Sequence, residues 1–355
     1  MPEPSNRYDL TAARSHGRPG REVRPPSLTV DAHAHVMVPA AADVMREHQR
    51  PDPAADLIAK DTRILTGRQA EDRMPNLVDL GLRMRDFDAM GLDAQVISPA
   101  PMQCYYDGPD SATVQAARLV NDGIAAIARE RPERIPAALG TVPLGAGGEA
   151  AAAELAYCMT DLKLKGVEIL AHVGDRELSD PVFEPFWARA EELGAVVFIH
   201  PAGFPDTKRF RRFYFGNIIG NPLDTTVALH HLIFDGVLKR YPNLKILAAH
   251  GGGYLPAYSG RIDHGWGARS DAHGGLPHPP SFYLKKIYVD TIVFTPHQLE
   301  ALVALFGVDK VLLGTDYPYD MGEYDPLDHI ASVASFSDTD KAAIAGGNAR
   351  ALFGI

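Results

Sequence analysis

Short apolar, β-branched runs recur along this chain with longer helix-forming stretches between them, and that alternation restricts it to a small group of folds. The runs are Thr29–Ala34, Ala94–Ser98, Ala137–Val142, Gly166–Leu170, Ala195–His200, Lys245–His250, Lys286–Asp290 and Lys310–Gly314. Between them lie stretches with the length and apolar spacing of helices: Leu80–Met90, Ser111–Glu130, Ala150–Leu162, Phe183–Leu193, Thr225–Phe234 and Pro296–Leu305. Gly91, Gly194 and Gly307 stand where helix C-termini take glycine. Parallel strands need such crossovers. The order predicts an α/β fold, a (β/α)8 TIM barrel. An open doubly wound sheet is the other solution, but no GxGxxG follows an early strand to give it a dinucleotide site.

Composition sets the boundaries. Residues 1–27, rich in Pro, Ser, Gly and Arg, read as a flexible or partner-wrapping N-terminal arm without the apolar segment of a secretion signal, and residues 28–355 as one barrel domain. Two segments interrupt the alternation. Met37–Asn76, charged and broken by Pro39, Pro51, Pro53 and Pro75, is a long insertion after strand one, and Gly203–Pro222 follows strand five. Both emerge on the rim where barrel enzymes keep their chemistry. With 35 basic and 45 acidic residues the formal charge is −10, which argues against a nucleic-acid partner. No apolar run reaches the roughly 18 residues of a membrane span. Cys104 and Cys158 lie far apart in no metal-type spacing, which fits the reducing cytoplasm.

Four of the strands end in a residue able to ligate a metal or move a proton. In TVDAHAHV, His33 and His35 share one face of strand one, because side chains two apart in an extended strand point the same way. Strand five ends in His200, strand six in His250, and strand eight leads into Asp316. A closed barrel brings these ends onto one rim. Singly, each has a structural explanation: histidines at strand ends are commonly hydrogen-bonded rim residues, and aspartate before Tyr-Pro is a turn former. Together, three imidazoles and a carboxylate suit one divalent ion, zinc above manganese or iron, with a position left open. Such an ion lowers the pKa of its water to roughly 7 and so supplies a nucleophile or proton source.

The segments DAHAHV, FIHP, AAHGGG and LLGTDYP together resemble the amidohydrolase superfamily, in its branch containing aminocarboxymuconate-semialdehyde decarboxylase and γ-resorcylate decarboxylase. The resemblance extends from about Leu28 to the C-terminus through EPFWARAEEL, NPLDTTVALHHLIFDGVL, GRIDHGW and GNARALFGI. It implies that His33, His35, His200 and Asp316 hold the metal and that His250 transfers a proton. It also implies a homodimer or higher homo-oligomer, in which Arg261 reaches a neighbouring subunit's site. Strand four, GVEILAH, lacks the lysine that binuclear members carboxylate, since Lys163 and Lys165 precede it, so a single metal is expected. Glu168 and His172 are open to wall or structural roles, whereas His230 and His231 read as helix-packing or surface residues.

The reaction expected from the resemblance is non-oxidative decarboxylation of a small aromatic or unsaturated carboxylic acid. Arg261 and Arg269 are candidates to grip its carboxylate through paired hydrogen bonds, and Phe213 and Tyr214 to wall an aromatic or dienoic substrate. Ion-pair or loop-packing roles would explain the same four residues. The loop after strand five departs from the aminocarboxymuconate enzyme in having no tryptophan, and the loop after strand one offers Arg68 or Arg73 without fixed alignment. The same metal set would serve a hydrolase attacking a lactone, amide or related carbonyl, and a noncatalytic metal- or partner-binding barrel would retain the fold without needing an open position.

Overall fold

The computed structural model describes residues 20–48, 58–205 and 207–355. Its barrel strands are β1 Val30–Val36, β2 Ala94–Pro99, β3 in two pieces (Ala137–Ala138 and Gly140–Thr141), β4 Gly166–Leu170, β5 Val196–His200, β6 Lys245–Ala248, β7 Tyr288–Asp290 and β8 Val311–Leu312. Neighbours pair in parallel in that order, the first piece of β3 bonding β2 and the second bonding β4. Backbone bonds from Ala32 N to Leu313 O and from His35 N to Tyr317 O, both 2.8 Å, join β1 to β8 and its continuation. A parallel bridge between Ala34 and Tyr317 completes the contact. The ring is therefore the expected (β/α)8 barrel.

Helices α1 Lys60–Val78 and α2 Leu80–Met90 join β1 to β2, and α3 Asp110–Glu130, α4 Gly148–Thr160 and α5 Glu184–Leu193 follow in turn. The remaining crossovers are α6 Asn221–Phe234, α7 Leu255–Ala268 and α8 Pro296–Phe306. Gly91 and Gly194 end their helices in the left-handed conformation, with φ of 77° and 62°, where a side chain would be strained. The insertion after β1, expected as irregular chain, contains α1. That helix has almost no apolar stripe to betray it, since only Arg73, Asn76 and Leu77 of its residues are buried. Of the expected N-terminal arm, residues 1–19 lie outside the described residues; Gly20–Val23 forms a helical turn, and Arg24 pairs with Asp93 beside the barrel.

The barrel interior is divided along its axis. Val30, Ala32, Val96, Phe198, Leu247 and Leu312 form one buried cluster, packed on Leu352 and Phe353 of the last helix. Ala34 and Val36 belong instead to the cluster between strands and helices. The parity of β1 changes because its register against β2 shifts between Asp31 and Ala34. This shift turns His33 and His35 inward above an apolar floor. The Phe198 ring lies 4.7 Å from the His33 ring. Phe198→Ala should therefore cost roughly 3–5 kcal/mol of stability, measured by denaturant unfolding; a loss below about 1 kcal/mol would mean that the interior is not packed as described.

Candidate metal centre

His33, His35 and His200, buried at the strand ends, are each anchored through Nδ1. His33 Nδ1 donates to Asp290 Oδ2 at 2.7 Å, His35 Nδ1 to the Pro99 carbonyl at 2.9 Å and His200 Nδ1 to the Pro201 carbonyl at 2.7 Å. A carbonyl only accepts, so Nδ1 of His35 and His200 must carry hydrogen, and the neutral rings present an Nε2 lone pair inward. His33 Nε2 and His35 Nε2 are 3.0 Å apart, and lie 3.3 and 3.2 Å from Asp316 Oδ1. The His200 ring centre is 5.2 Å from that of His33 and 5.0 Å from that of His35, while His200 Nε2 and Asp316 Oδ1 are buried without a hydrogen-bond partner. Lone pairs facing one another in a buried site are unfavourable unless a proton or cation lies among them. Donor set and orphaned atoms both fit a divalent ion.

Ligand-capable atoms of His33, His200, His250 and Asp316 all lie within 4.8 Å of one another. That quartet includes His250 and leaves out His35, but the lone-pair directions and the 3.2 Å approach to Asp316 favour His35 as the fourth donor. His250 stands to one side, its Nε2 3.4 Å from Asp316 Oδ2 and its Nδ1 buried without a hydrogen-bond partner.

The charges interlock. Burial would depress His33, but the carboxylates of Asp316 and Asp290 outweigh it and raise the imidazole to about 10. Burial lowers His35, assisted by the charge of His33, and lowers His200 far more, assisted by His35, His250 and His33. Against burial, the positive charge of His33 and the imidazoles of His250, His33 and His35 packed around it hold Asp316 well below the usual carboxylate range. The metal-free cluster thus carries its proton on His33. Burial pushes Glu168 up to about 8; its carboxyl lies on the same inner wall, Oε2 3.5 Å from His35 Nδ1.

Two further carboxylates shape the rim. Asp290 ends β7 and accepts, besides His33, the backbone N–H groups of His250, Gly251 and Ile292 at 2.9, 2.9 and 3.0 Å. It fixes His250 where the backbone is left-handed, φ 55°. Strand six, expected to reach His250, ends at Ala248 because the chain turns there through Gly251–Gly253. A Cβ on Gly253 would lie 2.3 Å from the Pro222 carbonyl oxygen, so the glycine run is needed for close approach. Asp31 is the second carboxylate: it accepts from His33 N and Thr315 N, at 3.0 and 3.1 Å, beside the site. Neither aspartate was singled out from sequence. Asp290 carried the same signal as the others, a polar residue ending a strand.

His250 and Asp316 open onto a cavity of about 560 Å³ whose walls include Ile292, Phe294, Tyr254 and Met321, with Asn217 and His297 among its polar groups. The expected substrate residues lie elsewhere. Arg261 is exposed on α7, Arg269 is exposed and paired with Asp271 at 2.7 Å, and neither lines this cavity. Phe213 is 60 % exposed. Tyr214, its hydroxyl 3.5 Å from Asp320, lines two smaller cavities against α1. His172 pairs with Asp224 at 3.0 Å, while His230 and His231 bond within their own helical segment, as expected of structural residues.

A closed barrel with histidines and an aspartate gathered at the C-terminal ends of its strands is a metal-centred barrel of the kind that carries catalysis on that rim. The chain belongs to the amidohydrolase family, whose sequence model matches residues 30–355. It is 34% identical to a 2-amino-3-carboxymuconate-6-semialdehyde decarboxylase of Dictyostelium discoideum over 93% of this chain and 92% of that one. It is 26% identical to a γ-resorcylate decarboxylase of a Rhizobium species, over 81% and 90% of the respective chains. Among solved structures it is similar to the 5-carboxyvanillate decarboxylase of Sphingomonas paucimobilis, with a TM-score of 0.81, 25% identity, and coverage of 92% and 99%. The corresponding enzyme of Novosphingobium aromaticivorans, solved with bound manganese, gives a TM-score of 0.80 at 25% identity, with coverage of 93% and 98%.

Because His33 is protonated in the metal-free cluster, loading a divalent ion near neutral pH should release about one proton, detectable as acidification of a weakly buffered solution. No release would mean that His33 is neutral. Asp290→Asn removes the charge behind His33 and should weaken metal affinity about 10- to 100-fold in a chelator competition; unchanged affinity would deny Asp290 its orienting role.

Proposed function

We propose that this chain is a metal-dependent, non-oxidative decarboxylase of a small aromatic or unsaturated carboxylic acid. The observation that carries the reading is one cavity, largely apolar, onto which both a candidate metal ligand, Asp316, and an imidazole with an unengaged buried nitrogen, His250, open. Similarity to decarboxylases across nearly the whole chain supports it. His33, His35, His200 and Asp316 would hold the ion. When bound, a divalent ion supplies Lewis-acid stabilisation of negative charge on a substrate oxygen.

The protein's own residues supply the rest. Ile292 and Phe294 offer a planar acid an apolar wall and keep water from the reacting carbon. His250 delivers a proton to the carbon that bears the carboxylate; the bond to that carboxylate then breaks, its electron pair returns to the unsaturated system, and carbon dioxide leaves. A proton from solvent restores His250.

Zinc is the proposed metal, because three imidazole nitrogens and one carboxylate suit it, and manganese, present in the Novosphingobium structure, is the competitor. A homodimer is proposed for the carboxylate grip: among the described residues no arginine lines the cavity, and Arg261 is exposed on α7, free to face a second copy. No helix among the described residues is long and apolar enough to cross a membrane. Two free, buried cysteines support a cytoplasmic location.

Release of carbon dioxide from a panel of hydroxybenzoic and muconic acids, abolished by chelation and restored by metal, is the expected result. Cleavage of lactones or amides without carbon dioxide release would replace this reading with hydrolysis, and inactivity of metal-loaded protein toward every compound would favour a binding role. His200→Ala and Asp316→Ala should lose metal, whereas His250→Ala should keep it and lose turnover at least about 100-fold, checked by metal analysis beside the rate. Equal metal loss in all three would make His250 a ligand.

A further inference from the structure

We propose that Arg83 is a positioning residue of the metal centre, tying the helices that join β1 to β2 to the backbone that presents the ligands; the proposal rests on the metal-site reading above. Arg83 lies on α2 and is 1% exposed. Its Nη2 donates to the carbonyl oxygen of His35 and its Nη1 to Gln95 Oε1 on β2. The Gln95 amide donates onward to Asp31 Oδ2 at 2.7 Å. Asp31 then gathers the His33 N–H at 3.0 Å, the Thr315 N–H at 3.1 Å and the Thr315 hydroxyl at 2.6 Å. One unbroken polar chain thus grips the backbone at His33, at His35 and at the residue preceding Asp316.

The place of this chain in the barrel explains its use. Between Asp31 and Ala34 the β1 register shifts, so the regular ladder with β2 fails at the segment that carries His33. A fully buried guanidinium is costly unless each of its donors is matched. Here two of those donors go to the carbonyl of a candidate ligand and, through one amide, to the carboxylate that ties β1 to the strand-eight segment. The same guanidinium lies 4.7 Å from the ring centre of Tyr317, next after Asp316. The Tyr317 hydroxyl is held by Asp86 at 2.7 Å and Asn76 at 3.0 Å, from α2 and α1. Metal bonds tolerate only a few tenths of an ångström, so a backbone shift of that size at His35 or Asp316 must appear in affinity and ligand field.

The test compares Arg83→Lys, Arg83→Met and Gln95→Met in the full chain, with Co²⁺ as the metal probe. A lysine keeps the charge but reaches only one of the two acceptors; Gln95→Met keeps Arg83 and cuts only the relay. The expected result is a Co²⁺ dissociation constant raised about 10- to 100-fold in Arg83→Met, less in Arg83→Lys, with shifted visible absorption bands of the bound cobalt. The kcat should fall while KM changes little, since none of these side chains lines the cavity. Variants that lose thermal stability but keep the parent's cobalt affinity and spectrum would overturn the proposal, reducing Arg83 to a packing residue. Should the Arg83 variants not fold, Gln95→Met alone decides by the same two readouts. A parent chain that binds no Co²⁺, Zn²⁺ or Mn²⁺ would instead defeat the metal-site reading itself, and this proposal with it.

Discussion

The buried carboxylate of Asp290 is the interaction on which the site depends. It lies at the end of β7 with no exposure to solvent, and its two oxygens bind one imidazole and three backbone N–H groups. Those four donors come from three stretches of chain: the middle of β1, the turn after β6 and the start of the loop after β7. Burying that charge is tolerable because every donor is directed at it, and the protonated His33 ring pulls its pKa below the usual carboxylate range despite burial. The same charge orients His33 and holds His250 in a left-handed conformation that costs about 1 kcal/mol by itself. A candidate ligand and the candidate proton carrier therefore share one electrostatic support.

Below this layer the barrel is ordinary. Its lower interior is filled by Val30, Ala32, Phe198 and Leu312, so stability comes from apolar packing. The upper layer has polar atoms in the wrong number for self-satisfaction: His200 Nε2, both Glu168 oxygens, His250 Nδ1 and Asp316 Oδ1 are buried without hydrogen-bond partners. That these atoms face one another over an apolar floor is what makes this rim the candidate metal centre.

Much of this could be read from the sequence because strand ends are conspicuous. The eight apolar runs match the eight barrel strands closely, and the polar residues closing four of them face one another across the rim. Asp290 follows the same rule, closing its strand with a carboxylate. What sequence could not expose was governed by contacts rather than by pattern. Helix α1 buries too little apolar surface to show a period, and the register shift in β1 is invisible in DAHAHV, where simple alternation already pairs His33 with His35. The exposure of Phe213 depends on a loop path that no local spacing encodes, and that of Arg261 on how α7 sits against the barrel.

The candidate metal donors and the cavity walls consequently belong to different parts of the chain. The donor atoms belong to strand ends whose positions follow from barrel closure, whereas the cavity walls, Asn217, Tyr254, Phe294 and Met321, belong to the segments that follow β5, β6, β7 and β8. Loops can change without moving a donor, provided their backbone leaves the rim alone. The connection between β1 and β2 is the exception. Arg83 bonds the His35 carbonyl from one side while α1 packs against the loop bearing Tyr214 on the other, and the Ala59 N–H donates to the Arg211 carbonyl at 2.7 Å. This single connection thus joins the segment flanking the cavity to the segment presenting the candidate metal donors, so changes in its packing reach both at once.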